Sequence, residues 1–144
     1  TTLRKEGAPL IRYRTHDLTR IIPGDCKCKF GSHHPRIDIL TGRTDDMVKV
    51  KGCNMFPSQI EEVLQFTDGA SSEYQVMIEA INGRDVLTVL FETPLEGEER
   101  ERCEQQLAAI FKAKIGCTPE AKGVPMGELP RSEKKSKRIF DSRY

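Results

Sequence analysis

Residues 74–93 read YQVMIEAINGRDVLTVLFET, and this stretch decides the fold. "YQVMIEAI" and "VLTVLFET" each alternate apolar and polar side chains, so each lays one apolar face along an extended strand. Asn82-Gly83 lies between them. Both residues tolerate the positive φ that a two-residue hairpin loop demands, so an antiparallel hairpin is predicted.

Working upstream, "SQIEEVLQF" (58–66) predicts a helix, with Ser58 and Glu61 as its capping box and Ile60, Val63 and Leu64 on one face. Before it, "TGRTDDMVKVKGCNMFP" (41–57) begins as a turn around Gly42 and Asp45 and continues as a strand through Val48 and Val50. Downstream, "EERERCEQQLAAIFKAKIG" (98–116) sets Cys103, Leu107, Ile110 and Phe111 at helical spacing, with Gly116 as C-cap. "EAKGVPMGEL" (120–129) is a last strand. The order from residue 46 is therefore strand, helix, strand, strand, helix, strand. It predicts an α+β domain over 46–144, a ferredoxin-like βαββαβ unit with helices covering one face of a small sheet.

Residues 1–45 differ. Strands are expected within "PLIRYRTHDLTRII" (9–22) and "RIDIL" (36–40), separated by the Gly/Pro-rich loop "PGDCKCKFGSHHP" (23–35). There is no helix pattern and too little apolar content for a separate core. The opening Thr-Thr runs almost at once into a strand pattern, so a fragment of something longer is expected, with 1–45 as the end of a larger domain.

Composition narrows the function. Of 144 residues, 37% are hydrophobic and 31% charged, which suits a globular chain. Basic and acidic residues number 23 and 22, a net charge of +1, so no global field draws the chain to nucleic acid or an acidic membrane. No apolar run approaches the ~20 residues that span a bilayer, and "TTLRKEGAPLIRY" lacks the apolar core of a secretory signal. The cysteine count, five, is odd; Cys53 and Cys103 fall at a strand end and on an apolar helix face. A reduced, cytoplasmic protein follows.

Four clusters can carry chemistry. In "YRTHD" (13–17), Asp17 just past a strand is placed to accept two hydrogen bonds from a vicinal diol such as a ribose, or else simply turns the chain. In "GRTDDMVKVKG" (42–52), Arg43 offers a planar fork of donors, Asp45 and Asp46 are adjacent carboxylates at a domain boundary, and Gly52 permits close backbone approach; a turn with a solvated edge strand is the plainer alternative. Cys26 and Cys28, with His33 and His34 nearby, are candidate zinc ligands, though Cys-x-Cys is shorter than the usual zinc spacing and an ordinary loop is the competing reading. Last, "LPRSEKKSKRIFD" (129–141) is rich in basic residues but has no interleaved aromatics in its basic run, which argues against a nucleic-acid patch. It is a solvated tail or a loop whose lysine does chemistry.

Taken in order, these clusters resemble the adenylate-forming enzymes, the superfamily of acyl- and aryl-CoA ligases, luciferases and peptide-synthetase adenylation domains. "YRTHD" is similar to Tyr-Arg-Thr-Gly-Asp. "GRTDDMVKVKG", followed by "IEEV", is similar to the hinge motif Gly-Arg-x-Asp-x-x-x-Lys-x-x-Gly and its Glu-containing helix. "LPRSEKKSKR" is similar to Pro-x-Thr-x-x-Gly-Lys-x-x-Arg, the late motif with the catalytic lysine. The wording of "KEGAPLIRYRTHDLTRI" and "TDDMVKVKGCNMFPSQIEEVL" most resembles the phenylacetate–CoA ligase branch, along essentially the whole chain.

The resemblance implies a reaction in two steps: ATP and an aryl carboxylate form an acyl-adenylate, and coenzyme A then takes the acyl group, releasing AMP. By position, Asp17 would bind the ribose hydroxyls with Arg43 assisting, and Asp45 would be the hinge of a small mobile domain. Gly52 would line the face presented to coenzyme A. Lys135, three residues before Arg138, would be the catalytic lysine. Magnesium would accompany ATP, and a homodimer stays open. His16 stands for the motif's Gly, Ser132 for its Thr and Lys134 for the Gly before the lysine. The superfamily's phosphate-binding loop and acyl pocket are not in these residues, so the chain alone is expected to be inactive. Two other functions stand beside this one: a stand-alone ferredoxin-like binding module, and an adenylating enzyme that passes its acyl group to another acceptor.

Overall fold

The structure is a computed structural model that describes residues 1–24, 29, 34–130 and 138–143. The chain divides into two units, Thr1–Asp45 and Asp46–Tyr144.

In the first unit, β1 (Asp17–Leu18) pairs antiparallel with the later strand β4 (Gly42–Arg43), placing Asp17 opposite Arg43. Between them, β2 (Ile21–Ile22) pairs antiparallel with β3 (Arg36–Ile37), with Ile21 opposite Ile37. The strands expected over 9–22 shrink to these two-residue pieces because the backbone leaves the extended region at Arg12 (φ 50°) and His16 (φ 67°). No described residue of this unit is buried. Ile11, Ile21 and Ile39 stand 81%, 73% and 79% exposed.

The second unit holds the core. It opens with β5 (Val48–Val50) and β6 (Cys53–Met55), an antiparallel pair with Val48 opposite Met55. Helix α1 (Pro57–Gln65) follows, then β7 (Tyr74–Ile81), β8 (Arg84–Glu92), α2 (Gly97–Ile115), β9 (Glu120–Val124) and β10 (Ile139–Asp141). The predicted hairpin is β7–β8. Asn82 and Gly83 take φ of 52° and 75°, and the buried residues Val76 and Ile78 face Val89 and Leu87. Gly116 caps α2 in the left-handed conformation, φ 94°.

The α+β class holds, but the strand order is not the ferredoxin-like one. The sheet runs β10-β7-β8-β9, with β10 parallel to β7 and β8 parallel to β9. The expected first strand, β5, forms its own two-stranded pair with β6 instead. The edge beside β7 is occupied by β10, which follows the basic segment in sequence. A parallel β8–β9 pair needs a long crossover, and α2 supplies it.

The expected capping box on α1 also moves. Pro57 takes the first helical position, where its missing N–H costs nothing, so Phe56 becomes the N-cap and its N–H donates to Gln59 Oε1 at 3.0 Å. Ile60, Val63 and Leu64 of α1, Cys103, Leu107 and Phe111 of α2, and Val50 and Met55 of the small pair bury against the apolar face of β7 and β8. No helix among the described residues is long and apolar enough to cross a membrane.

Candidate functional site

The β1–β4 register brings together three of the residues singled out by motif. The Arg43 guanidinium forks onto Asp45, with Nε 2.9 Å from Oδ1 and Nη2 2.6 Å from Oδ2. Its Nη1 lies 3.8 Å from Asp17 Oδ1, an ion pair too long to be a hydrogen bond. Asp17 therefore keeps acceptor capacity on a partly exposed carboxylate beside a fixed positive charge, which is the chemistry a vicinal diol requires. The hydrogen bond from Arg43 holds the Asp45 carboxyl below the usual aspartate range.

His16, which departs from the motif's glycine, sits at φ 67°. The backbone there is left-handed, a region glycine enters freely and histidine more readily than most other side chains. Its carbonyl accepts the Thr44 N–H at 2.8 Å, and its Nδ1 lies 3.2 Å from Thr44 Oγ1. The turn that presents Asp17 is therefore kept despite the substitution.

Gly52 belongs to the second unit. It and Lys51 join β5 to β6 with φ of 82° and 50°, both positive as in a primed hairpin turn. A Cβ added at Gly52 would meet nothing within 4 Å, so the glycine answers to the turn's φ and its backbone is open to a ligand. A cavity of about 400 Å³ is lined here by Gly52, Lys49, Lys51, Asp85, Asp141 and Arg143 among others. The last three were not read from the sequence. Arg143 Nη1 donates to Asp85 Oδ2 at 2.8 Å, and the pair of carboxylates, Asp141 first, raises the Arg143 pKa further above its ordinary value. No local signal announces a bond between residues this far apart in the chain.

Lys135, Cys26 and Cys28 lie outside the described residues, as does His33. Among the described residues no group of three His, Cys, Asp or Glu could hold a metal ion. The flanks of the lysine segment are described. On the upstream side, the Leu129 N–H donates to Oε1 of the fully buried Glu92 at 3.1 Å. Downstream, Arg138 donates from Nη1 to the Ser72 carbonyl at 3.1 Å, and its guanidinium lies 4.9 Å from the Tyr74 ring centre. Glu61 and Glu73 approach it at 3.8 and 3.7 Å. Burial, with the Glu61 charge adding, pushes the Tyr74 phenol up to about 12. Leu129 is thus tied to β8, and Arg138 to α1 and the start of β7.

The fold and these motifs define a class. Residues 52–143 match the AMP-binding enzyme C-terminal domain, and the chain belongs to that family. Its relatives include phenylacetate-coenzyme A ligase of Escherichia coli (strain K12), 39% identical over 99% of this chain, and that of Pseudomonas putida, 33% identical over 99%. The chain spans about a third of the length of each, 33% in both cases. A crystal structure of a domain of phenylacetate-coenzyme A ligase from Bacteroides vulgatus ATCC 8482 covers 69% of this chain and 95% of its own, with 33% identity and a TM-score of 0.61. A 2-hydroxyisobutyryl-CoA ligase in its postadenylation state shares the fold, with a TM-score of 0.77 at 24% identity, over 94% of this chain and 29% of that one. The expected resemblance to the phenylacetate–CoA ligase branch is borne out.

Proposed function

We propose that residues 46–144 are the small mobile domain of an AMP-forming aryl-acid–CoA ligase, and that 1–45 are the closing strands of its large AMP-binding domain. The Asp17–Arg43–Asp45 cluster, in a chain of this family, carries the reading. The exposed apolar residues of 1–45 support it, since they have the character of a surface that a larger domain would cover.

In the first step a carboxylate oxygen attacks the α-phosphorus of ATP, delivered as its magnesium complex, and the bond to pyrophosphate breaks. In the second, the sulfur of coenzyme A attacks the acyl carbonyl, loses its proton and expels AMP. Asp17 accepts the ribose hydroxyls, with Arg43 beside it. Asp45 is the hinge. Gly52 lines the face turned to coenzyme A. Lys135 places its ammonium on the carboxylate and α-phosphate oxygens, where charge gathers during adenylation. Phenylacetate is the acid named for the relatives, and it is the acid proposed here.

The test is product formation by the full-length protein from ATP, phenylacetate and coenzyme A. AMP and phenylacetyl-CoA should appear in equal amounts, and residues 1–144 alone should release no AMP. A full-length protein that adenylates no aryl acid, or a 144-residue chain that does so unaided, would contradict the reading.

A further inference from the structure

The turn that carries Gly52 is held from behind by groups outside every motif. Lys51 adopts φ 50°, a left-handed conformation that a lysine does not favour, so its neighbours must maintain it. The Lys51 N–H donates to Asp85 Oδ2 at 3.3 Å, and Lys51 Nζ donates to the Thr118 carbonyl at 3.2 Å. Asp85 Oδ2 also accepts Arg143 Nη1 at 2.8 Å. Arg143 turns its other edge onto Asp141 of β10, with Nε 2.9 Å from Oδ1 and Nη2 2.7 Å from Oδ2. The Arg143 side chain is only 12% exposed, so these charge-assisted bonds form largely out of water. A continuous line runs from the sheet edge through Arg143 and Asp85 to the backbone of the turn.

We propose that Asp85 and Arg143 are positioning residues for the thioester half-reaction: they fix the Lys51–Gly52 turn in the shape it presents to an anionic thiol substrate. The proposal rests on the reading of Gly52 given above. Neither residue touches the reacting atoms; both act through the turn. A role confined to general stability would lower both half-reactions together, whereas a positioning role separates them.

Two measurements test this. On the 144-residue chain, Asp85→Ala should speed amide hydrogen exchange at Lys51 by about tenfold or more, with the strand amide of Val89 unchanged. On the full-length ligase, Asp85→Ala should slow thioester formation from pre-made adenylate, or raise KM for coenzyme A, by about tenfold, while adenylation stays within about twofold. Asp85→Asn, which keeps an acceptor for the Lys51 N–H, should recover part of the loss; Arg143→Lys, which keeps charge without the fork, should by itself show a smaller loss in the thioester step than Asp85→Ala. Unchanged exchange at Lys51, or equal loss in both half-reactions, would overturn the proposal. A wild-type ligase that adenylates but forms no thioester would instead sink the reading of Gly52, with the exchange experiment still deciding whether Asp85 holds the turn.

Discussion

Arg43 shows how one side chain organises a site. Its fork on Asp45 depresses that carboxyl, so the contact contributes stability above the ordinary aspartate range and loses it as pH falls through the lowered value. Both side chains are well exposed, and solvent screening keeps the effect on folding small. An NMR titration should find Asp45 protonating below the usual aspartate value, and Arg43→Ala should return it there; no difference between the two proteins would remove Arg43 as the cause. Asp17, Arg43 and Asp45 were legible in the sequence because each lies in a short motif. Asp85, Glu92 and Arg143 were not. Asp85 meets Lys51 and Arg143, and Glu92 meets Leu129, each pairing spanning more than thirty residues, so only the folded sheet brings them together.

At the level of elements, strong local patterns survived and pairing did not. Asn82-Gly83 and Gly116 specify backbone conformations that few other residues accept, so the β7–β8 hairpin and the end of α2 could be read directly. Nothing in "VKV" says whether it pairs with β6 or joins the main sheet, and "IFD" is three residues at the end of a charge run. The α2 face offers a quantitative check. Leu107 is fully buried, so Leu107→Ala should cost about 2–5 kcal/mol of unfolding free energy. Gly116→Ala forces a Cβ into the left-handed region, 3.4 Å from Cys53 Sγ, and should cost about 1–2 kcal/mol. Urea denaturation of the two variants should preserve that order; a larger loss at Gly116 would show the helix end to matter more than its core face.

Across the whole molecule the two units differ in kind. Among the described residues, all the buried apolar side chains lie in Asp46–Tyr144, and Thr1–Asp45 shows two short ribbons with exposed isoleucines. Deleting residues 1–45 should therefore leave a cooperative thermal transition within a few degrees of the intact chain. A transition lost or shifted by tens of degrees would show that the first unit is part of the same folding core. In the sequence, the strand–helix–strand–strand–helix–strand order begins at residue 46, and residues 1–45 carry no helix pattern.

In the proposed function, Lys135 serves adenylation and the open Gly52 turn serves thioester formation. The direct measurement is the pair of half-reactions in the full-length ligase carrying Lys135→Ala, with Lys134→Ala as control. Lys135→Ala should slow adenylation by about a hundredfold or more and leave thioester formation from pre-made adenylate near wild type, whereas Lys134→Ala should leave both near wild type. Equal loss in both half-reactions, or a larger effect at Lys134, would contradict it.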